Sequence, residues 1–124
     1  MPDKQPWPIE IRVRKDRRAL SIRFDDEVEH ELPAEMLRVM SPSAEVQGHS
    51  REQRVTVGGK RDVAIAAVDS VGNYALKITF SDGHNTGLFS WAYLRKLGDQ
   101  RPALWNEYLA ELKAKGLSRD PPPR

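Results

Sequence analysis

The chain predicts an α+β fold: antiparallel β-hairpins forming a small, mostly-β core, with two or three short helices, the last of them C-terminal. Three observations carry this. Residues 9–13 (IEIRV) and 20–24 (LSIRF) alternate apolar and polar with period two around a short polar connection. Residues 74–80 (YALKITF) alternate in the same way after the turn pair Gly72-Asn73. Beyond residue 90 the spacing changes to that of helices, first in WAYLRKL and then in Leu104, Trp105, Tyr108, Leu109 and Leu112.

Taken in order, the first hairpin turns Ile9, Ile11, Val13, Leu20, Ile22 and Phe24 inward. Asp25-Asp26 ends it, and EVEHEL (27–32) gives a third alternating run with Val28, His30 and Leu32 on one face. Pro33 opens a helix, since the first turn does not need its missing N–H, and Met36, Leu37 and Met40 follow at helical spacing until Pro42. Residues 41–60 are polar, with a weak strand at 54–57 and a turn at Gly58-Gly59. VAIAAV (63–68) pairs with 74–80 as a second hairpin at the centre of the sheet. Ser81-Asp82-Gly83 is a turn, and 85–89 is a further short strand. Ser90 is placed to cap the helix over 91–97, which Gly98 ends. Pro102 opens the last helix and Gly116 follows its end. The expected organisation is a flexible segment over 1–8, one domain over 9–116, and a disordered Pro-rich tail over 117–124. SRDPPPR also has the composition of a polyproline ligand, although a solubilising tail is the plainer reading.

Composition narrows the function classes. The chain has 124 residues, enough for one modest core, and no cysteine, which removes disulfides, thiolate metal sites and a cysteine nucleophile. No apolar run approaches the roughly 20 residues that span a bilayer, and MPDKQPWPIE lacks the apolar stretch of a signal peptide, so a cytoplasmic setting is expected. Charge is segregated: residues 1–24 carry seven Lys/Arg against three Asp/Glu, and residues 25–45 carry seven Asp/Glu against one Arg. Arg12, Arg14, Lys15, Arg17, Arg18 and Arg23 offer a basic face for nucleic acid, but alternation with Ile11 and Val13 reads more simply as the solvent side of a strand. Glu27, Glu29 and Glu31 similarly read as a solvated strand face. Gly58-Gly59-Lys60-Arg61 lacks P-loop spacing, and Ser90 lacks the Gly-x-Ser-x-Gly frame of a nucleophile elbow.

The histidines are the remaining candidates. His30 falls in register with Val28 and Leu32 and reads as part-buried packing. His49 lies in a polar loop. His84 follows Asp82-Gly83 in the sharpest turn, where a neutral imidazole suits a metal and Asp82 can share the ion or orient the ring. The plainer alternative is that Asp82 and His84 cap the turn through backbone bonds.

LPAEMLRVMSPSAEVQGH (32–49) and YALKITFSDGHNTGLFSWAYLRKL (74–97) resemble the N-terminal domain of gamma-butyrobetaine hydroxylase and its stand-alone bacterial relatives. The resemblance runs over roughly residues 17–112. Its most specific parts are Leu37-Arg38 with Ser41-Pro42-Ser43-Ala44-Glu45, and Asp82-Gly83-His84 with Ser90-Trp91 and Leu94-Arg95. It implies a small β-rich domain that, in the full-length hydroxylases, precedes an iron- and 2-oxoglutarate-dependent oxygenase domain and carries a zinc held by three cysteines and a histidine. His84 matches that histidine. The cysteines would fall near Met40–Glu45, where this chain has none, so that zinc site does not carry over. An N/O site of His84, His49 and Asp82 would suit iron or zinc. The residues of the oxygenase domain are not in this chain, so hydroxylase activity is not implied. Similar domains attached to iron–sulfur carrier ATPases imply an accessory role in iron-related metabolism.

The leading expectation is therefore a non-enzymatic interaction domain with an unidentified protein partner, using Trp91, Tyr93 and Arg95 beside the turn. Metal binding at His84, with His49 and Asp82, is the alternative. Nucleic-acid binding through the basic hairpin ranks third, and no membrane association is expected.

Overall fold

A computed structural model describes residues 6–43, 46 and 55–121. Two three-stranded antiparallel sheets and three helices make up the described residues. The order is β1 (Pro8–Val13), β2 (Ala19–Phe24), β3 (Glu29–Pro33), α1 (Ala34–Val39), β4 (Ile65–Val71), β5 (Ala75–Phe80), β6 (Leu88–Ser90), α2 (Trp91–Asp99) and α3 (Arg101–Ala114). The strand orders are β1-β2-β3 and β4-β5-β6. The α+β expectation with a C-terminal helix holds, but VAIAAV and YALKITF form a second sheet and are not the centre of a single one.

The alternation that defined the strands now has its cause. Leu20, Ile22 and Phe24 of β2 are fully buried, as are Leu32, Ile65, Ile78 and Phe89, and all lie in one core with Leu94 and Leu97 of α2. One core thus binds both sheets to α2, and burial of large apolar side chains, each about 1.5–3 kcal/mol, is what fixes the strand registers. The two sheets also meet directly. The Ile65 N–H donates to the Arg17 carbonyl at 2.7 Å, and the Arg17 guanidinium donates to the Ala66 carbonyl at 3.2 Å. Arg17 reaches this position from a left-handed backbone, φ 62°, in the β1–β2 turn.

Several local expectations are corrected. Ile9 is 54% exposed and does not face inward. The β1–β2 register slips between Pro8 and Glu10, so Ile9 is the extra residue of a bulge. Val63 and Ala64 precede β4, which starts at Ile65 and runs to Val71, and β6 covers Leu88–Ser90 where 85–89 was expected. Residues 55–57 form no strand; the Val55 N–H instead donates to the Val46 carbonyl. Glu27 lies in the β2–β3 turn at φ 70°, off the strand face that Glu29 and Glu31 keep. Leu109 is 37% exposed, while Tyr108 and Leu112 supply the buried stripe of α3.

Ser90 caps α2 as expected: its hydroxyl accepts the Tyr93 N–H at 3.1 Å. Gly98 does not end that helix. It lies inside α2, where a Cβ would stand 2.2 Å from the His30 ring. Its role is close approach, and it lets His30 reach Asp99, with Nε2 to Oδ1 at 2.8 Å.

Residues 117–121, expected to trail free, lie along the body. The Gly59 N–H donates to the Ser118 carbonyl and the Arg61 N–H to the Arg119 carbonyl. The Arg119 guanidinium grips both carboxylate oxygens of buried Glu35 in α1 and stacks over Trp105. A bidentate charged pair is stronger than a neutral hydrogen bond, and with the two backbone bonds it ties this segment to α1 and the 59–61 loop.

Candidate functional site

The Asp82-Gly83-His84 turn is built by its own side chain. Asp82 Oδ1 accepts the His84 N–H at 3.1 Å, Gly83 adopts φ 90°, and the Phe80 N–H donates to the His84 carbonyl at 3.0 Å. This turns the imidazole inward over Phe80, with only 9% of the residue exposed. There Nε2 lies 3.0 Å from Ser41 Oγ and 3.4 Å from Ser43 Oγ. Gly87 closes the other side. A Cβ on Gly87 would stand 2.2 Å from Ser41 Oγ and 3.0 Å from Pro42 Cδ, so only glycine lets the 84–88 segment lie against Ser41-Pro42-Ser43.

Asp82 is committed elsewhere. Its Oδ2 receives Arg38 Nε at 2.8 Å and Lys60 Nζ at 2.6 Å. Burial opposes its ionisation, but the bonds from Lys60, the His84 N–H and Arg38 outweigh it and hold the carboxyl at about 2. The cluster therefore has two halves: an anion clamped by two cations, and a buried imidazole among hydroxyls.

Its chemistry is limited by access. A serine hydroxyl 3.0 Å from an imidazole has nucleophile–base geometry, but Ser41 has no exposed surface through which to meet a substrate. Nor does the donor set fit the zinc that the resemblance implies. Beside Nε2 stand the hydroxyls of Ser41 and Ser43, and neutral hydroxyls are poor zinc ligands. Among the described residues, no three His, Asp or Glu side chains gather into a possible metal site. His49 lies outside the described residues. The sequence did not place Ser41, Ser43 and Gly87 beside His84; the one available signal was that Ser-Pro-Ser falls where the cysteines were expected.

The three residues expected to face a partner are used within the fold. The Trp91 indole N–H donates to the Asn73 carbonyl at 2.8 Å, and the Tyr93 hydroxyl to the Met40 carbonyl. Arg95 lies over Phe24 and joins Asp26 to Asp99. Trp91 nevertheless forms the floor of an open groove of about 320 Å³ with Trp7, Asn73, Tyr74, Ser90 and Ala92. Trp7 meets Trp91 edge to face at 6.3 Å, and its backbone is held at both N–H and C=O by Asp25. Trp7 is 46% and Tyr74 54% exposed, so the aromatic surface belongs chiefly to two residues that periodicity did not single out.

The basic hairpin is largely neutralised. Arg12 and Arg23 approach Glu10, Arg14 binds Asp16 and Glu31, and Arg18 faces Asp62. With Arg17 bonded to β4 carbonyls, this face has the mixed charge of a solvated sheet.

Two small sheets on a shared core, a buried His-Ser turn and a C-terminal helix define a small α+β domain. The chain belongs to the family described as gamma-butyrobetaine hydroxylase-like, N-terminal, whose model matches residues 11–95. Two solution NMR structures of proteins 45% and 43% identical to it have TM-scores of 0.83 and 0.82. Both matches cover 98% of this chain, and they cover 95% and 90% of those chains. A crystal structure of a protein of unknown function, of the DUF971 family from Acidithiobacillus ferrooxidans, is 40% identical with a TM-score of 0.61. That match covers 73% of this chain and 91% of that one. A search of the curated proteins gives no match.

Proposed function

We propose that this chain is a non-catalytic accessory domain that docks a protein partner through the Trp7–Trp91–Tyr74 face. One observation carries the reading: two large aromatic side chains stand half-exposed on a rigid floor, while the reactive groups of the His84 turn are buried. Preformed aromatic anchors of this kind supply much of the binding energy at protein interfaces, because little entropy is lost when they are covered. Ile9 and Leu88, 54% and 43% exposed, are further large apolar side chains on the surface of the fold. The proposed setting is the cytoplasm, on the sequence composition, and iron-related metabolism, on the strength of the resemblance alone.

The test compares the tagged chain with Trp7→Ala/Tyr74→Ala, both verified as folded by NMR, in extract of the native host. The expected result is a partner retained in stoichiometric amount by the parent chain and reduced at least about tenfold by the double variant, the loss of roughly one hot-spot residue. Equal retention, or a turnover activity of the purified chain that His84→Ala abolishes, would overturn the reading.

A further inference from the structure

We propose that the aromatic groove takes an extended polyproline segment carrying a basic residue, and that Pro121–Arg124 of a second copy of this chain is its occupant. This rests on the reading of the Trp7–Tyr74 face as a docking surface and names what docks there.

The groove has the components that polyproline recognition needs. Ligands of this type are stiff left-handed helices with three residues per turn and free backbone carbonyls, and they bind between aromatic rings that offer N–H or O–H donors. Trp7 and Tyr74 line the groove together with Trp91, which is fixed by its own bond to Asn73. Among the described residues, neither the Trp7 indole N–H nor the Tyr74 hydroxyl meets an acceptor, so both are available to a ligand carbonyl. Next to Trp7, one oxygen of the Asp25 carboxylate accepts the Trp7 backbone N–H, and no cation among the described residues pairs with it. Arginine in the ligand would complete that charge. The sequence itself carries such a segment, Pro121-Pro122-Pro123-Arg124, in which three consecutive prolines favour the polyproline helix before any contact is made.

The chain's own segment does not reach the groove. Ser118 and Arg119 are bonded to Gly59 and Arg61, just before Ile65, which pairs with Phe80. The groove lies at the other end of β5, at Asn73 and Tyr74. Six residues of strand separate the two ends, about 20 Å at 3.3 Å per residue. The four residues after Asp120 span at most about 14 Å even when fully extended. A second copy is under no such limit, and exchange between two copies would satisfy both grooves at once.

The experiment is an NMR titration of the full chain, isotope-labelled, with the peptide Ser-Arg-Asp-Pro-Pro-Pro-Arg, alongside sedimentation of the chain over a hundredfold range of concentration. The expected result is a saturable shift of the Trp7 and Trp91 indole N–H signals. Trp7→Ala should remove it. Asp25→Asn, which keeps the acceptor for the Trp7 N–H, should weaken it about threefold, as for a surface ion pair. Self-association should rise with concentration and be lost in Pro121→Ala/Pro122→Ala/Pro123→Ala. Indole signals unmoved by millimolar peptide, or self-association unchanged in the triple variant, would overturn the proposal. If the peptide fails while an extract partner is still lost on Trp7→Ala/Tyr74→Ala, the docking face stands and its proposed occupant falls.

Discussion

Replacing Asp82 by Asn isolates the electrostatic half of the turn. Asn keeps an oxygen for the His84 N–H but removes the charge that Arg38 Nε and Lys60 Nζ approach at 2.8 and 2.6 Å. In the parent chain the carboxyl is lowered from 3.8 to about 2, which corresponds to about 2.5 kcal/mol at 1.36 kcal/mol per pH unit. About a quarter of the side chain touches solvent, so screening reduces the expected loss to about 1–2 kcal/mol. The direction with pH follows from the sign of the displacement. Above about pH 5 both native and unfolded carboxyls are ionised and the full contribution is present. As pH falls from about 5 toward 2 the unfolded chain binds the proton first, and the contribution declines; below about 2 little of it remains. Urea unfolding of both proteins at pH 7, 4, 3 and 2 measures this directly. The stability gap should be about 1–2 kcal/mol at pH 7 and close toward zero at pH 2. A gap below about 0.3 kcal/mol at pH 7, or one that does not narrow in acid, would refute the assignment of Asp82 as the ionised centre of this cluster.

Four further outcomes follow from the geometry. Gly87→Ala should lose about 1–3 kcal/mol in urea unfolding, because its Cβ would collide with Ser41 Oγ and Pro42; an unchanged midpoint would show that the two segments part freely. Gly98→Ala should destabilise despite alanine's better helix propensity, and His30→Ala in the same chain should recover at least half of the loss in a double-mutant cycle. Glu27→Gly should raise stability by about 0.5 kcal/mol, since a left-handed backbone suits glycine; a lower melting temperature would contradict this. Ser41→Cys with Ser43→Cys places two thiols beside His84 Nε2, and the variant should gain a zinc-dependent rise in melting temperature that His84→Ala abolishes, whereas the parent chain should show no such rise.

How much of this was legible in the sequence depended on distance along the chain. Period-two runs located β2 and β5 because each buries one face, and Ser90 was readable as a cap because a cap is a local bond. Ile9 was misread because a bulge changes the side a residue faces without changing the alternation around it. Gly98 looked like a stop signal, since nothing nearby in sequence announces that His30, 68 residues earlier, packs on it. The site divided in the same way. Asp82 and its turn were visible locally, but the pairing of His84 with Ser41 and Ser43, and of Asp82 with Arg38 and Lys60, joins segments whose meeting is set by the core. Trp91, Tyr93 and Arg95 were chosen for their chemistry, and the fold satisfies each of them internally. The aromatic surface falls instead to Trp7 and Tyr74, which end up beside Trp91 only once β1 and the β4–β5 turn are in place.

The Glu35–Arg119 pair has a consequence for how the chain is made. Glu35 is 6% exposed and finds its cation 84 residues later. Until that arginine leaves the ribosome, α1 carries a carboxylate that prefers water to the core, and burying it alone would be strongly unfavourable. Synthesis from the N-terminus therefore leaves α1 incompletely docked until almost the whole domain has emerged, so that this contact closes among the last.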